Sequence, residues 1–262
     1  MSPQDTPALR SPLPFADRVI EVSTDQPFHW LAAGWRDFRA AGMVSVAHGL
    51  IFVFAGFVLT FGLIAADLIY LIGPMIVGFL LVGPALTVGF YATSRELEAG
   101  RPAPFSATRT AWRANTGPLL SLGLMQVLFL IVWMRFAALI FAISFPSTTL
   151  DPQAMLNATL FTRGGLIFLA IGSVVGAVMA GLAFMLGAFS LPLLLDRKVG
   201  VLEAVVTSAV AVVLNPRAMA VWAGLVMLFT AAGLAAGYIG LAVTLPLIGH
   251  ATWHAYRAVI RR

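Results

Sequence analysis

The sequence predicts an all-α polytopic membrane protein with six transmembrane helices. Of its 262 residues, 60% are hydrophobic and only 10% are charged, whereas a soluble domain carries about 25% charged residues. Four apolar blocks are long enough to cross a bilayer core of about 30 Å, and two of them are long enough to cross it twice. A soluble globule of this composition would expose a very large apolar patch, so the sequence excludes that class.

The predicted spans follow the apolar blocks in chain order. They cover residues 42–66, 68–92, 118–145, 166–195, 216–235 and 238–257. We expect the proline-rich residues 1–27 to form a disordered or loosely docked cytoplasmic tail, and residues 28–262 to form the membrane domain. Residues 28–40 mix aromatic side chains with arginines, which is typical of a short helix in the headgroup region.

The basic residues orient the predicted bundle. All 16 Lys and Arg except Arg135 and Arg163 are placed on the side of the N-terminal tail, the connections after the second and fourth spans, and the C-terminus. The positive-inside rule therefore predicts a bacterial inner-membrane protein with both termini in the cytoplasm. The net charge of +5 follows from this topology, so we expect a bilayer with anionic headgroups as a partner, and no nucleic acid.

An internal pattern predicts three pseudo-repeated hairpins, each preceded by a cytoplasmic interfacial helix. Gly100 and Asn115 have the same spacing as Gly200 and Asn215, and each asparagine is soon followed by a proline and a new span. Each even-numbered span also carries a proline, which removes a backbone hydrogen bond and kinks a helix. These prolines are Pro84, Pro192 and Pro246.

The last predicted span carries the main candidate functional residues. At helical spacing, its proline, histidines, tryptophan and first arginine fall on one face. Polar groups that faced lipid would lose their hydrogen bonds, so we expect this face to pack inward against the first two spans. The predicted polar cluster consists of His48, Tyr91, Arg95, His250, Trp253, His254 and Arg257.

Two interpretations of the histidines stay open. His250 and His254 lie four residues apart, so together with His48 they could hold a metal or a haem if further ligands joined them. No acidic ligand accompanies them at that depth, and the absence of cysteine excludes thiolate sites. Histidines near a membrane interface commonly form hydrogen bonds between helices, so no cofactor is predicted, with haem or copper as the alternative.

Arg135 is the one charge well inside a predicted span. At the centre of a bilayer an arginine costs about 2.5–3.5 kcal/mol, so its surroundings matter. It lies near the outer end of the third span, on the same side as Asp67. We expect Arg135 to reach outward to the interface or to pair with Asp67, and not to bind a solute.

Four short motifs give the chain a family resemblance. They are GWRDF (34–38), DRK (196–198), TSAVAVVLNP (207–216) and PLIGHATWHAYR (246–257). Over roughly residues 20 to 260 the chain resembles a bacterial family of predicted integral membrane proteins of unknown function (DUF family 2189). The resemblance implies a six-helix inner-membrane protein and supplies no reaction and no catalytic residues.

Three functions fit the sequence. The favoured one is a non-enzymatic accessory or interaction protein of a membrane complex or of lipids. The alternative is a carrier of small solutes or lipids, and the third is a haem or copper protein that uses His48, His250 and His254. Because the sequence has no Ser-His-Asp order, HExxH, Walker or GxGxxG motif, an enzyme is not favoured.

Overall fold

The chain is helical throughout the residues that the computed structural model describes, which are 12–72, 75, 87–145 and 152–261. In that part of the chain the one β pairing is an isolated bridge between Val19 and Ile260, so the predicted all-α fold is confirmed there. The helices are α1 (Gln26–Ala41), α2 (Met43–Ala65), α3 (Val88–Glu98), α4 (Ser106–Ala114), α5 (Thr116–Ser144), α6 (Pro152–Phe161), α7 (Arg163–Gly187), α8 (Ser190–Asp196), α9 (Val201–Leu214), α10 (Pro216–Ala235) and α11 (Leu241–Val259).

Four stretches are long and apolar enough to cross a membrane. They are α2, α5, the continuous stretch Arg163–Asp196 formed by α7 and α8, and α10. Their ends agree within three residues with the first, third, fourth and fifth predicted spans. The structure thus has helices of spanning length at four of the predicted places, because the length of an apolar run is a local property that the sequence states directly.

The other two predicted spans are not among the four long apolar helices of the described residues. Most of the second, including Pro74 and Pro84, lies outside the described residues, and its last part is the beginning of α3. The sixth corresponds to α11, a helix that is not among the four apolar candidates and of whose 19 residues 14 are buried. The six-span count and the three-hairpin repeat therefore stay predictions.

Helix α11 is the central helix of the described fold, surrounded by α1, α2, α3 and α10. Two glycines permit the close approach of its neighbours. A Cβ atom on Gly34 of α1 would lie 2.6 Å from the backbone nitrogen of Ala251, and one on Gly49 of α2 would lie 2.5 Å from the carbonyl oxygen of Ala242. Both contacts involve backbone atoms, which cannot move aside cheaply, so the helix packing requires glycine at these positions.

Pro246 lies inside α11 without ending it. Because proline has no N–H, the carbonyl of Ala242, four residues earlier, receives no helical hydrogen bond from it. That same carbonyl is the group against which Gly49 packs. The predicted kink site thus faces α2, whose glycine leaves room for the freed oxygen.

The described part of the predicted tail is docked against the end of α11 and against α9. Ile20 N donates to the carbonyl of Val259 at 2.8 Å, and Arg261 N donates to the carbonyl of Arg18 at 2.8 Å. Val22 N donates to Oδ1 of Asn215 at 2.7 Å. An ion pair between Arg18 and Glu203 adds a contact to α9.

Replacing Gly34 by alanine should lower the stability of the protein, because the new methyl group meets the backbone of Ala251. Overpacking of this kind costs about 1–3 kcal/mol, measurable as unfolding by SDS titrated into a mild detergent. Gly181→Ala is the matched control, since a Cβ atom there has nothing within 4 Å. Equal stabilities of the two variants would contradict the close approach of α1 and α11.

Candidate functional site

The polar side chains of α11 meet those of four other helices at one end of the bundle. The partners come from α1, from the first turn of α2, and from the C-terminal parts of α3 and α8. We call this group the terminal cluster. It consists of Asp37, Ser45, Ser94, Glu98, Asp196, His250, Trp253, His254, Tyr256 and Arg257.

One half of the terminal cluster is a chain of hydrogen bonds through His250. The hydroxyl of Ser94 donates to Oδ2 of Asp37 at 2.6 Å. The Ser94 oxygen therefore accepts from Nδ1 of His250, 2.8 Å away. A neutral imidazole carries one N–H, so Nε2 of His250 accepts from the hydroxyl of Ser45 at 2.7 Å. This ordering satisfies both ring nitrogens of a histidine that is fully buried.

This series of hydrogen bonds ends at the carboxylate of Asp37. Its Oδ2 also accepts from Nε2 of His254 at 2.8 Å. Burial alone would raise the pKa of Asp37, but the hydrogen bonds from His254 and Ser94 outweigh it and hold that pKa below its usual value. The ionised carboxylate therefore ties α1 to both α3 and α11.

The other half of the terminal cluster is built around two carboxylates. Glu98 accepts from the indole Nε1 of Trp253 at 3.0 Å and from Nε and Nη2 of Arg257 at 3.1 and 3.0 Å. Asp196 accepts from the hydroxyl of Tyr256 at 2.7 Å and from Nη1 of Arg257 at 3.2 Å. The Arg257 guanidinium thus bridges the ends of α3 and α8, a role that suits its rigid fork of donors.

The predicted polar cluster is partly assembled. His250, Trp253, His254 and Arg257 are all in the terminal cluster. The other three predicted members lie outside it. His48 contacts the Val44 carbonyl at 2.8 Å and Thr108 Oγ1 at 2.9 Å, and Arg95 donates to the Leu195 carbonyl at 2.8 Å. Tyr91 is buried.

The hydrogen-bond partners of the two histidines were missing from the sequence prediction. Asp37, Ser45 and Ser94 gave no separate signal, because a single serine or aspartate near a predicted span has many structural uses. One pattern was available in α3, where Tyr91, Ser94, Arg95 and Glu98 follow the spacing of a single helix face.

The three histidines do not form one ligand group. Phe90 lies between His48 and His250, with ring centroids 5.8 and 5.6 Å from theirs. Within the described ranges, no three His, Asp or Glu side chains are arranged to hold a metal ion. The haem or copper hypothesis therefore stays a prediction.

Arg135 and Asp67 are not brought together. Both side chains are exposed, and the ion pairs found in the described part of the chain do not include them. Arg135 lies about 28 Å along α5 from its first residue, close to the far edge of a 30 Å hydrocarbon core. Its guanidinium can therefore reach the interface along its own stem, which was the other predicted outcome.

The centre of the chain is similar to a known family. Residues 71–196 match the family described as "Predicted integral membrane protein (DUF2189)". The predicted resemblance is confirmed for these residues, and the match does not extend over the whole predicted range of 20 to 260. The protein is accordingly an integral membrane protein with apolar helical spans. No curated protein and no solved structure matches the chain.

The DUF2189 match and three of the four motifs supply residues of the terminal cluster. The match covers just under half of the chain, and Asp196 is the one motif residue inside it. GWRDF supplies Asp37, which binds His254 of the terminal motif, and DRK supplies Asp196, which binds Arg257. Asn215, in the remaining motif, accepts from Val22 in the segment that pairs with the end of α11. Motifs far apart in sequence are therefore neighbours in the fold.

Asp37→Asn should cost about 1–3 kcal/mol of stability at pH 7, because the hydrogen bonds to the carboxylate are charge-assisted. A lowered pKa means that the folded state binds the proton less readily than the unfolded state. The contribution of Asp37 is therefore present at neutral pH and disappears as pH falls below about 4.

The measurement is SDS unfolding of wild type and variant from pH 7 to pH 3. The difference in stability should shrink on acidification. Asp17→Asn, at an exposed carboxylate outside the cluster, is the matched control and should change little. A wild-type advantage that stays constant over this pH range would contradict the proposed role of the carboxylate.

Proposed function

We propose that this protein is a non-enzymatic accessory protein of a bacterial inner-membrane complex, with both termini in the cytoplasm. The observation that supports it is the uncovered pair formed by α5 and α7. In each of these spans, 6% of the most apolar 18-residue stretch is buried inside the protein, compared with 22% in α2 and 28% in α10. The pair presents a wide apolar surface that the rest of the described chain does not cover.

Helix α5 also carries a polar group that favours a protein on this surface over lipid alone. Arg135 is exposed on this helix, whereas Oε1 of Gln126 and Nε1 of Trp133 are buried between α5 and α7. Lipid tails offer a guanidinium group no acceptor, whereas a partner helix can supply one.

The terminal cluster supports a structural role for the polar residues of α11. Ser45, His250 and the Ser94–Asp37 pair follow the order of a nucleophile, a base and an acidic group. Catalysis would require a substrate to reach Ser45, but Ser45 is 1% exposed and His250 is 0% exposed. These hydrogen bonds hold helices together, and Ser45 and His250 are not accessible to a substrate.

The described grooves give less support to a carrier. The larger groove lies between α2 and the connection from α10 to α11, and its lining is mainly apolar. Its two polar groups, Thr60 Oγ1 and the hydroxyl of Tyr238, bond with each other at 2.8 Å. Polar solutes therefore find few free partners along this groove.

Photocrosslinking in intact cells tests the accessory role. A photoreactive amino acid replaces exposed Leu128 of α5 or Val174 of α7, and Phe54 or Val58 of α2 serves as the matched control position. We expect one and the same membrane protein to be captured from the α5 and α7 positions and not from α2. Arg135→Leu should weaken that capture, because it removes the exposed hydrogen-bond donor of α5.

Lipid adducts alone at α5 and α7 would contradict the proposal. Equal capture of the same protein from α2 would also contradict it, because the interaction would then not depend on the uncovered pair.

A further inference from the structure

We propose that the outward face of α1 is a docking surface for the headgroups of anionic phospholipids. This surface is independent of the α5–α7 pair. Its residues recur at the spacing of one helix face and are all exposed. We call them the α1 stripe, which consists of Phe28, Ala32, Trp35, Arg36 and Arg39.

The opposite face of α1 fixes the direction in which the stripe points. Trp30 packs edge-to-face on Trp222 of α10, with ring centroids 5.8 Å apart. Gly34 lies against Ala251, and Asp37 is bound to His254. Three contacts along the helix therefore prevent α1 from rotating and keep the stripe on the surface.

The start of α2 sets the depth of the stripe. The chain turns at Gly42, with φ of 54°, and the first apolar candidate span begins at Met43. Arg39 is four residues before that point, and Arg36 is one turn further back. Both guanidinium groups are thus close to the membrane surface, within reach of the phosphate layer.

The aromatic members indicate contact with the interface. Phe28 is 57% exposed and Trp35 is 43% exposed, and the Trp35 ring stacks on Phe38 with centroids 5.3 Å apart. Large aromatic rings in water beside two arginines would be unfavourable, whereas the headgroup region accommodates both kinds of side chain.

Seven arginines on the predicted cytoplasmic side differ in whether they bind a group within the chain. Four of them bind groups within the chain: Arg95 the Leu195 carbonyl, Arg101 Glu96, Arg197 the Arg261 carbonyl, and Arg257 Glu98. Arg36, Arg39 and Arg113 have no acidic partner in the described part of the chain. Of these three, Arg36 and Arg39 are the two that share a helix face with exposed aromatic rings.

Two free guanidinium groups one turn apart complement a phosphate diester by charge and by hydrogen bonding. The acidic residues of α1 and its N-cap do not compete for them. Asp37 is held on the opposite face by His254, and Asp25 pairs with His29 at the other end of the helix. An anionic headgroup is therefore the partner whose charge fits this surface.

The test is native mass spectrometry of the full chain in a neutral detergent. It compares the binding of phosphatidylglycerol and phosphatidylcholine with the same acyl chains. We expect the wild type to prefer phosphatidylglycerol. Arg36→Gln with Arg39→Gln should weaken that binding roughly 25-fold, since each arginine near an anionic surface contributes a factor of about five. Phosphatidylcholine binding should not change.

The matched control is Arg113→Gln with Arg217→Gln, which removes two exposed arginines from two different helices, α4 and α10. Because these two do not lie one turn apart on one helix, the variant should bind within about threefold of wild type. Arg36→Lys with Arg39→Lys keeps the charge, so this variant should also bind phosphatidylglycerol within about threefold of wild type. Undiminished phosphatidylglycerol binding by the double glutamine variant would overturn the proposal. An equal loss in the control would also overturn it, because net charge alone would then explain the binding.

Discussion

The burial of a polar helix is the constraint on which this fold depends. Within its last three turns, α11 carries two histidines, a tryptophan, a tyrosine and an arginine, yet most of its residues are buried. A polar group removed from water costs free energy unless it finds a partner. The surrounding helices must therefore bring acceptors to fixed places, and Asp37, Glu98 and Asp196 do so from α1, α3 and α8.

This constraint gives a physical reason for the separate motifs. Asp37 and Asp196 lie far from α11 in sequence, and each is bound to a side chain of the terminal motif. With α11 fixed in this way, two surfaces remain for other partners. The α5–α7 pair is apolar and barely covered, whereas the α1 stripe is basic and aromatic at the membrane surface.

The sequence predicted those features that depend on local patterns. Apolar length located four spans, and helical periodicity placed His250, Trp253, His254 and Arg257 on one inward face. The hydrogen-bond partners of the histidines could not be predicted, because the contact of Ser45 with His250 depends on how α2 packs against α11. Arg135 and Asp67 show the same limit. Lying on one side of a membrane does not fix lateral position, and the two residues do not meet.

A double-mutant cycle tests most directly whether the partners of α11 hold the bundle together. Glu98→Gln and Arg257→Gln are made singly and together, and the free energy of unfolding is measured in SDS and mild detergent. Because the two side chains bind each other directly, the cycle should give a coupling energy of about 1–3 kcal/mol. Additive effects of the two substitutions would contradict the account, because α11 would then be held by apolar packing alone.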